Sequence, residues 1–200
     1  MLLIGGEMTE KEASEQLSNK SLDILYVKNI FKTFSKNSVI EGLVAMNLSL
    51  RTSVHERDKE YSETMIELLQ ELSDSCDMSV RWAVAKNPHT SVQILEKLSK
   101  DDVNLVRALV ATNPKTPVPI LQKLFSDEKI VRDGLSGNPS TPLKYLEVLS
   151  DDTDTMVRLR VIENSSCTKA ICEKLLSDKE QNIRQGAHAK LERLNHANQQ

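Results

Sequence analysis

The stretch Leu105–Pro117, LVRALVATNPKTP, combines a helical run with a signal to stop and a signal to restart. Its apolar residues recur at the spacing of an amphipathic helix: Leu105, Val106, Leu109 and Val110. Asn113-Pro114 ends this run, because proline lacks an N–H and disfavours α conformation in the residue before it. Thr116-Pro117 predicts a new helix, with a capping hydroxyl before a proline at the first helical position. The stretch therefore predicts two short helices joined by a tight turn.

The same pattern returns along the chain every 25 or 26 residues. One marker is an asparagine, followed by Pro in the first three copies: Asn87, Asn113, Asn138 and Asn164. A second is an arginine preceded by Val or Ile: Arg81, Arg107, Arg132, Arg158 and Arg184. A third is a pair of core residues: Leu69/Leu72, Leu95/Leu98, Leu121/Leu124, Leu146/Leu149 and Cys172/Leu175. Helices this short are marginal alone, so each unit must bury its apolar stripe against its neighbours.

The repeated pattern Asn-Pro-x-Thr-Pro, Leu-x-x-Leu, Asp, Val-Arg-x-x-Val-Ala resembles the leucine-rich repeat variant family, which is HEAT-like in style. The resemblance covers residues 61–189 and is closest in the middle three units. It implies an all-α fold, a right-handed α-solenoid (superhelix) of about five two-helix repeats of 25–26 residues. We expect residues 1–60 to form an irregular helical N-terminal cap and residues 190–200 a polar tail.

The first 60 residues are less regular than the repeats. Thr9 and Glu12 predict a capping box for a helix through Leu17, and residues 22–34 are apolar enough for another. Residues 38–47 look like a degenerate second helix, but they lie 40 residues before their counterpart instead of 26. The extra residues are assigned to the charged segment 48–62, interpreted as an inserted loop or a short extra helix.

Composition restricts the class of protein. Hydrophobic residues make up 39% of the chain and aromatics only 4%, so the core must be mainly Leu, Val, Ile and Ala. A net charge of -3 gives no global attraction to phosphates. Three cysteines, an odd number, favour a reducing compartment, and the four apolar residues Met1–Ile4 are too few for a signal peptide or a membrane span. We therefore expect a cytoplasmic protein, with Met8 as an alternative translation start.

The repeated polar residues are interpreted as framework. Each arginine of the second marker follows, by five or six positions, an acidic residue or, in the first unit, Ser75: Asp101, Asp127, Asp152 and Asp178. The family resemblance implies an Asp–Arg ladder inside the array, which we favour over a row of phosphate contacts. Such pairs rely on bidentate geometry, so lysine would not replace arginine. The repeated asparagines are interpreted as turn-stabilising amides instead of ligand contacts.

Trp82 follows Arg81 at a position where the other units carry Ala108, Asp133, Leu159 and Gln185. A position that accepts Asp and Gln is not expected in the core. Trp82 is therefore either an exposed anchor for a partner beside Lys86 or a residue packed under segment 48–62. The variable positions predicted to line the concave surface of the solenoid are Trp82, Lys86, Thr112, Asp133, Arg160, Glu163 and Gln185.

Signals for catalysis, metals and cofactors are missing from the sequence. The four histidines have no metal-ligand spacing, and the cysteines Cys76, Cys167 and Cys172 contain no C-x-x-C. Members of the family it resembles can carry an iron–sulfur cluster on a separate Cys-rich segment, which this sequence lacks. We predict buried free thiols, no cofactor and no enzymatic activity.

The mixed charges of the predicted concave surface favour a polypeptide partner. We expect a non-catalytic scaffold that mediates protein–protein interaction, with no membrane and no small-molecule substrate. The alternative is binding of the nucleic-acid backbone by the concave surface, as in some HEAT-like proteins that include DNA glycosylases. A third interpretation is a structural subunit that dimerises through an exposed end repeat.

Overall fold

The computed structural model describes residues 8–51 and 62–197, and in these two ranges it contains thirteen α-helices and no strand. The predicted all-α class is confirmed. The chain divides into two compact units, residues 1–94 and 95–200. Within the described ranges, none of the helices is both long enough and apolar enough to cross a membrane.

The first unit contains five complete helices and the start of a sixth. They are α1 (Glu10–Leu17), α2 (Ile24–Thr33), α3 (Ser38–Arg51), α4 (Glu63–Leu72), α5 (Met78–Lys86) and α6 (Val92–Leu98). The predicted capping box is confirmed: the Thr9 side chain accepts from the Glu12 N–H, and the Glu12 carboxylate accepts from the Thr9 N–H.

Helix α3 is longer than the sequence suggested. Leu48 to Arg51 continue this helix, so the first four residues of the expected insertion 48–62 are helical and not a loop. The reason is that no proline follows Asn47, and Leu48 is fully buried, so the apolar face of the helix continues. Residues 52–61 of that segment lie outside the described ranges, and Ser62 is the N-cap of α4.

The second unit contains the rest of α6 and seven further helices. They are α7 (Asn104–Thr112), α8 (Val118–Leu124), α9 (Lys129–Gly137), α10 (Leu143–Leu149), α11 (Thr155–Glu163), α12 (Lys169–Leu175) and α13 (Gln181–Ala197). Helices α8, α10 and α12 have seven residues each, and α7, α9 and α11 have nine each. The helix boundaries thus recur at the sequence period, and we call α7, α9, α11 and α13 the second helices of this unit.

The second helices pack against one another in chain order, α7 on α9, α9 on α11 and α11 on α13. Each contributes one fully buried residue from the same position of the pattern: Val106, Val131, Val157 and Ile183. The shorter helices add leucines such as Leu121 and Leu146 to the same core. The core of this unit is therefore built from residues at corresponding positions, one set per period.

The threonine before each proline has a different role from the one expected. Helix α8 begins at Val118 with Pro117 at the N-cap position, where no side chain caps the helix. The Thr116 hydroxyl instead donates to the Val110 carbonyl of the preceding helix at 2.5 Å. Thr141 donates in the same way to Leu135 at 2.7 Å. The prediction of a capping threonine is therefore wrong, because the hydroxyl serves the C-terminal end of α7 or α9, whose last carbonyls lack helical partners.

Asparagine side chains link successive turns of the second unit. Asn138 Nδ2 donates to the carbonyls of Ala111 and Asn113 at 2.6 and 2.9 Å. Asn164 donates in the same way to Ser136 and Asn138 at 2.7 and 2.9 Å. We call these bonds the asparagine ties. They satisfy carbonyls at helix ends and fix the offset between one turn and the next.

Two other side chains make bonds equivalent to the asparagine ties, and neither was predicted from the sequence. In the second unit, Lys190 Nζ donates to the Asn164 carbonyl at 3.0 Å, from the position where another period would place asparagine. In the first unit, buried Asn47 donates to the carbonyls of Leu17 and Asn19 at 2.6 and 3.0 Å. Asn47 is the last residue of the stretch 38–47 that resembles a degenerate second helix, and this position was the sign in the sequence that it could act like the repeated asparagines.

Each internal arginine of the second unit joins two consecutive turns. Arg158 Nε and Nη2 donate to the Asp178 carboxylate at 2.7 and 3.0 Å, and Nη1 donates to the Asp152 carbonyl at 2.7 Å. The carboxylate partner is thus the aspartate 20 residues after the arginine, whereas the residue five or six positions before it contributes its backbone. We call the bidentate pairs the Arg–Asp clamps: Arg107–Asp127, Arg132–Asp152 and Arg158–Asp178.

The arginines at the two ends of the series, Arg81 and Arg184, also bond the backbone of their own turns. Arg184 Nη1 donates to the Asp178 carbonyl at 2.6 Å. In the first unit, Arg81 Nη1 donates to the carbonyls of Ser75 and Cys76 at 3.0 and 3.1 Å. The bond from the arginine to the backbone of its own turn is therefore made by all five arginines of the series.

The clamps predict acid sensitivity. The Arg158 guanidinium lowers the pKa of Asp178, and Arg107 lowers that of Asp127, in both cases chiefly by hydrogen bonding. Because the folded-state pKa lies below the unfolded value of about 3.9, this stability is present above about pH 4 and is lost as the pH falls through the lower folded value. We expect Asp178→Asn to lose about 2–3 kcal/mol at pH 7 and to show a flatter decline in acid, measured by urea denaturation from pH 7 to pH 2.5. The exposed Asp102→Asn is the control, and equal losses from the two variants would contradict the clamp.

Candidate binding surface on the second helices

The C-terminal ends of three second helices meet at a cavity of about 310 Å³ in the second unit. We call it the Asp133 cavity, and its lining residues are Thr112, Asp133, Gly134, Gly137, Arg160 and Glu163. Thr112, Gly137 and Glu163 are the last residues of α7, α9 and α11. The negative ends of three helix dipoles therefore lie at this cavity. Four of the seven predicted surface residues line it: Thr112, Asp133, Arg160 and Glu163.

Two glycines of α9 shape the cavity. A Cβ at Gly134 would lie 2.6 Å from the Ala108 carbonyl oxygen and 2.9 Å from Thr112 Oγ1, so α7 and α9 approach closely only because that atom is absent. A Cβ at Gly137 would lie 3.1 Å from Arg160 Cδ. The Arg160 stem thus lies over Gly137. Neither glycine was predicted from the sequence to have a role, although a glycine inside a helix often marks close packing.

The charged side chains of the cavity are only loosely paired. Arg160 Nη2 lies 3.6 Å from Asp133 Oδ2, and Arg160 Nη1 lies 3.6 Å from Glu163 Oε2, so both ion pairs are longer than a hydrogen bond. The second oxygen of Asp133, Oδ1, is buried and accepts no hydrogen bond from any described residue. A buried acceptor left without a donor costs about 1–3 kcal/mol. The cavity therefore carries a polar group that the fold itself does not satisfy.

The position after the arginine marker is not uniformly exposed. In the second unit Ala108 is buried, Asp133 and Leu159 are half-buried, and Gln185 is exposed on α13. The expectation that this position avoids the core is thus wrong for Ala108. Helix α9 packs closely on α7 at this position, since a Cβ at Gly134 would lie 2.6 Å from the Ala108 carbonyl oxygen.

Trp82 belongs to the first unit, on α5, and its side chain is 36% exposed. Lys86 Nζ lies 5.2 Å from the centre of the Trp82 ring, within the range of a cation–π contact. The ring also lines a mainly apolar cleft of about 250 Å³ between α3 and α5, with Met46 and Ala83 among its neighbours. Trp82 is thus partly packed and partly exposed, while residues 52–61 of the segment proposed to cover it lie outside the described ranges.

The prediction of buried free thiols is confirmed for Cys167 and Cys172, whose sulfur atoms lie 3.6 Å apart, and is wrong for Cys76, which is exposed. Burial, and then the neighbouring Cys172 thiol, raise the pKa of Cys167 to about 12. A thiol with so high a pKa carries little of the reactive thiolate at neutral pH. Across residues 8–51 and 62–197, no group of three or more His, Cys, Asp or Glu residues is arranged to hold a metal ion.

Comparison with protein-family models and comparison with curated proteins each found no match. The resemblance to the leucine-rich repeat variant family therefore rests on the quoted motifs.

The glycine geometry yields a paired prediction. Gly134→Ala should destabilise the protein by about 1–3 kcal/mol, because the added Cβ must displace backbone. Gly42→Ala, within α3, adds a Cβ that meets nothing within 4 Å and should stabilise by about 0.5–1 kcal/mol through helix propensity. Urea midpoints followed by circular dichroism measure both effects. A Gly134→Ala variant as stable as Gly42→Ala would contradict the close packing of α7 and α9.

Proposed function

We propose that this chain is a non-catalytic scaffold that binds a protein or peptide through the concave surface of a helical solenoid. In this proposal the chain is a right-handed HEAT-like solenoid of about five repeats, similar to the leucine-rich repeat variant family. The proposed concave surface is lined by α5, which carries Trp82 and Lys86, and by the second helices. Its free thiols fit a reducing compartment such as the cytoplasm.

The proposal rests on the contrast between polar side chains that are hydrogen-bonded within the fold and polar side chains that are not. The clamp arginines and the tie asparagines have their hydrogen bonds inside the framework. In contrast, the Arg160 guanidinium makes no hydrogen bond to a described residue, and Asp133 Oδ1 is buried without a donor. Polar side chains without hydrogen-bond partners in the fold are expected where a protein surface forms hydrogen bonds to a binding partner.

The same division disfavours nucleic acid as the partner. The arginines of the clamps, which would have formed a row of phosphate contacts, already bind aspartates. The Asp133 cavity sets two carboxylates against one guanidinium, which is unfavourable for a polyanion. Protein binding is therefore the function that these contacts support best.

An affinity pull-down from lysate tests the proposal, with and without nuclease. We expect a protein band that persists after nuclease treatment and weakens with Trp82→Ala and with Arg160→Ala. Loss of an anchoring Trp or Arg at an interface costs about 2 kcal/mol or more, roughly a thirtyfold loss of affinity. Lys123→Ala, an exposed cation on α8, is the matched control and should retain the band.

Two results would count against this assignment. Binding that neither Trp82→Ala nor Arg160→Ala changes would place the interface elsewhere on the chain. Recovery that disappears with nuclease and falls steeply with salt would favour nucleic acid instead.

A further inference from the structure

We infer that the Asp133 cavity receives a guanidinium or ammonium group from a basic side chain of the partner polypeptide. This inference rests on the proposed function and specifies the chemistry of one part of the interface. It assigns the cavity to arginine or lysine and not to an acidic or apolar side chain.

The hydrogen-bonding groups of the cavity are mostly acceptors. Asp133 Oδ1 is buried without a donor among the described residues, and Glu163 is exposed with only a 3.6 Å ion pair to Arg160. The Thr112 hydroxyl gives its proton to the Ala108 carbonyl at 2.9 Å, which leaves its oxygen free to accept. A ligand with several N–H donors and no acceptor matches this arrangement, and these are the properties of guanidinium and ammonium groups.

The electrostatics favour a cation as well. Two carboxylates and one guanidinium give the cavity a formal charge of −1. The C-terminal ends of α7, α9 and α11 add the negative ends of three helix dipoles. A second cation would therefore complete the charge balance, and Asp133 would gain the hydrogen bonds that Arg160 does not supply.

The shape of the cavity suits a side chain. Its volume of about 310 Å³ is bounded by Gly134 and Gly137, which place no side chain in it. The Arg160 stem is held against Gly137, with Cδ and Cγ 3.1 and 3.2 Å from the position of an added Cβ. The pair between Arg160 and Asp133 is loose, at 3.6 Å, and the Asp133 side chain is 26% exposed, so this carboxylate can still bind an incoming group.

Titration of the ¹⁵N-labelled full chain with N-acetyl-arginine amide tests the inference by NMR. We expect saturable shifts of the Gly134 and Gly137 amides with a dissociation constant in the millimolar range, and about tenfold weaker binding to Asp133→Asn. The isosteric but neutral N-acetyl-citrulline amide should leave these amides unchanged. Glu173→Gln, which removes an exposed carboxylate on α12, is the matched control and should bind as the original chain does.

Equal shifts from arginine and citrulline, or an Asp133→Asn variant that binds unchanged, would overturn the inference. This titration needs no partner, so its result is independent of the pull-down. If the titration fails but the pull-down still requires Trp82 and Arg160, the proposed function stands and only the assignment of the cavity to a cation is wrong.

The source of the cation is tested by adding the capped arginine to the captured complex. Release of the partner supports a basic side chain at the cavity, whereas binding without release would assign the cavity to a free small cation and overturn the partner assignment.

Discussion

The Arg–Asp clamp is the contact on which the repeated part of this molecule depends. One guanidinium holds the backbone of its own turn through Nη1 and the carboxylate of the next turn through Nε and Nη2. In Arg158–Asp178 both side chains are largely buried, 4% and 8% exposed, so breaking the pair would leave a charge without its partner. The asparagine ties add neutral hydrogen bonds between α7 and α9 and between α9 and α11, and Lys190 makes the equivalent bond between α11 and α13. Clamps and ties together set the offset between consecutive turns.

This framework determines what remains for a partner. In the second unit the clamp arginines and the tie asparagines already have hydrogen-bond partners within the fold, so the groups left for a partner are those that vary between periods. At the ends of α7, α9 and α11 these groups surround the Asp133 cavity, whose formation also requires the close approach at Gly134. The proposed interface is thus a consequence of the framework. The repeated packing brings the ends of three helices together, and the side chains that differ between periods determine the charge of the cavity there.

The sequence predicted what is periodic and missed what depends on contacts across helices. The 25–26-residue step, the turns at Asn-Pro and the capping box at Thr9 were visible because each is encoded locally. The partner of each clamp arginine was not, since a nearby aspartate in sequence and one 20 residues away fit the same pattern. Thr116 bonds backwards instead of capping α8, and Lys190 replaces an asparagine in the ties. Four cavity residues were predicted because their positions vary between periods. The role of Gly134 could not be predicted, since it depends on how closely α7 and α9 approach each other.

A double-mutant cycle on Arg158 and Asp178 tests whether a clamp between consecutive turns holds the repeats in register. The free energy of unfolding is measured for the original chain, Arg158→Ala, Asp178→Ala and the double variant. We expect the double variant to be more stable than the sum of the single losses implies, by about 1–3 kcal/mol, since each single change leaves a buried charge unpaired. Losses that add to within about 0.5 kcal/mol would contradict this expectation, because additive losses are those of sites that do not interact.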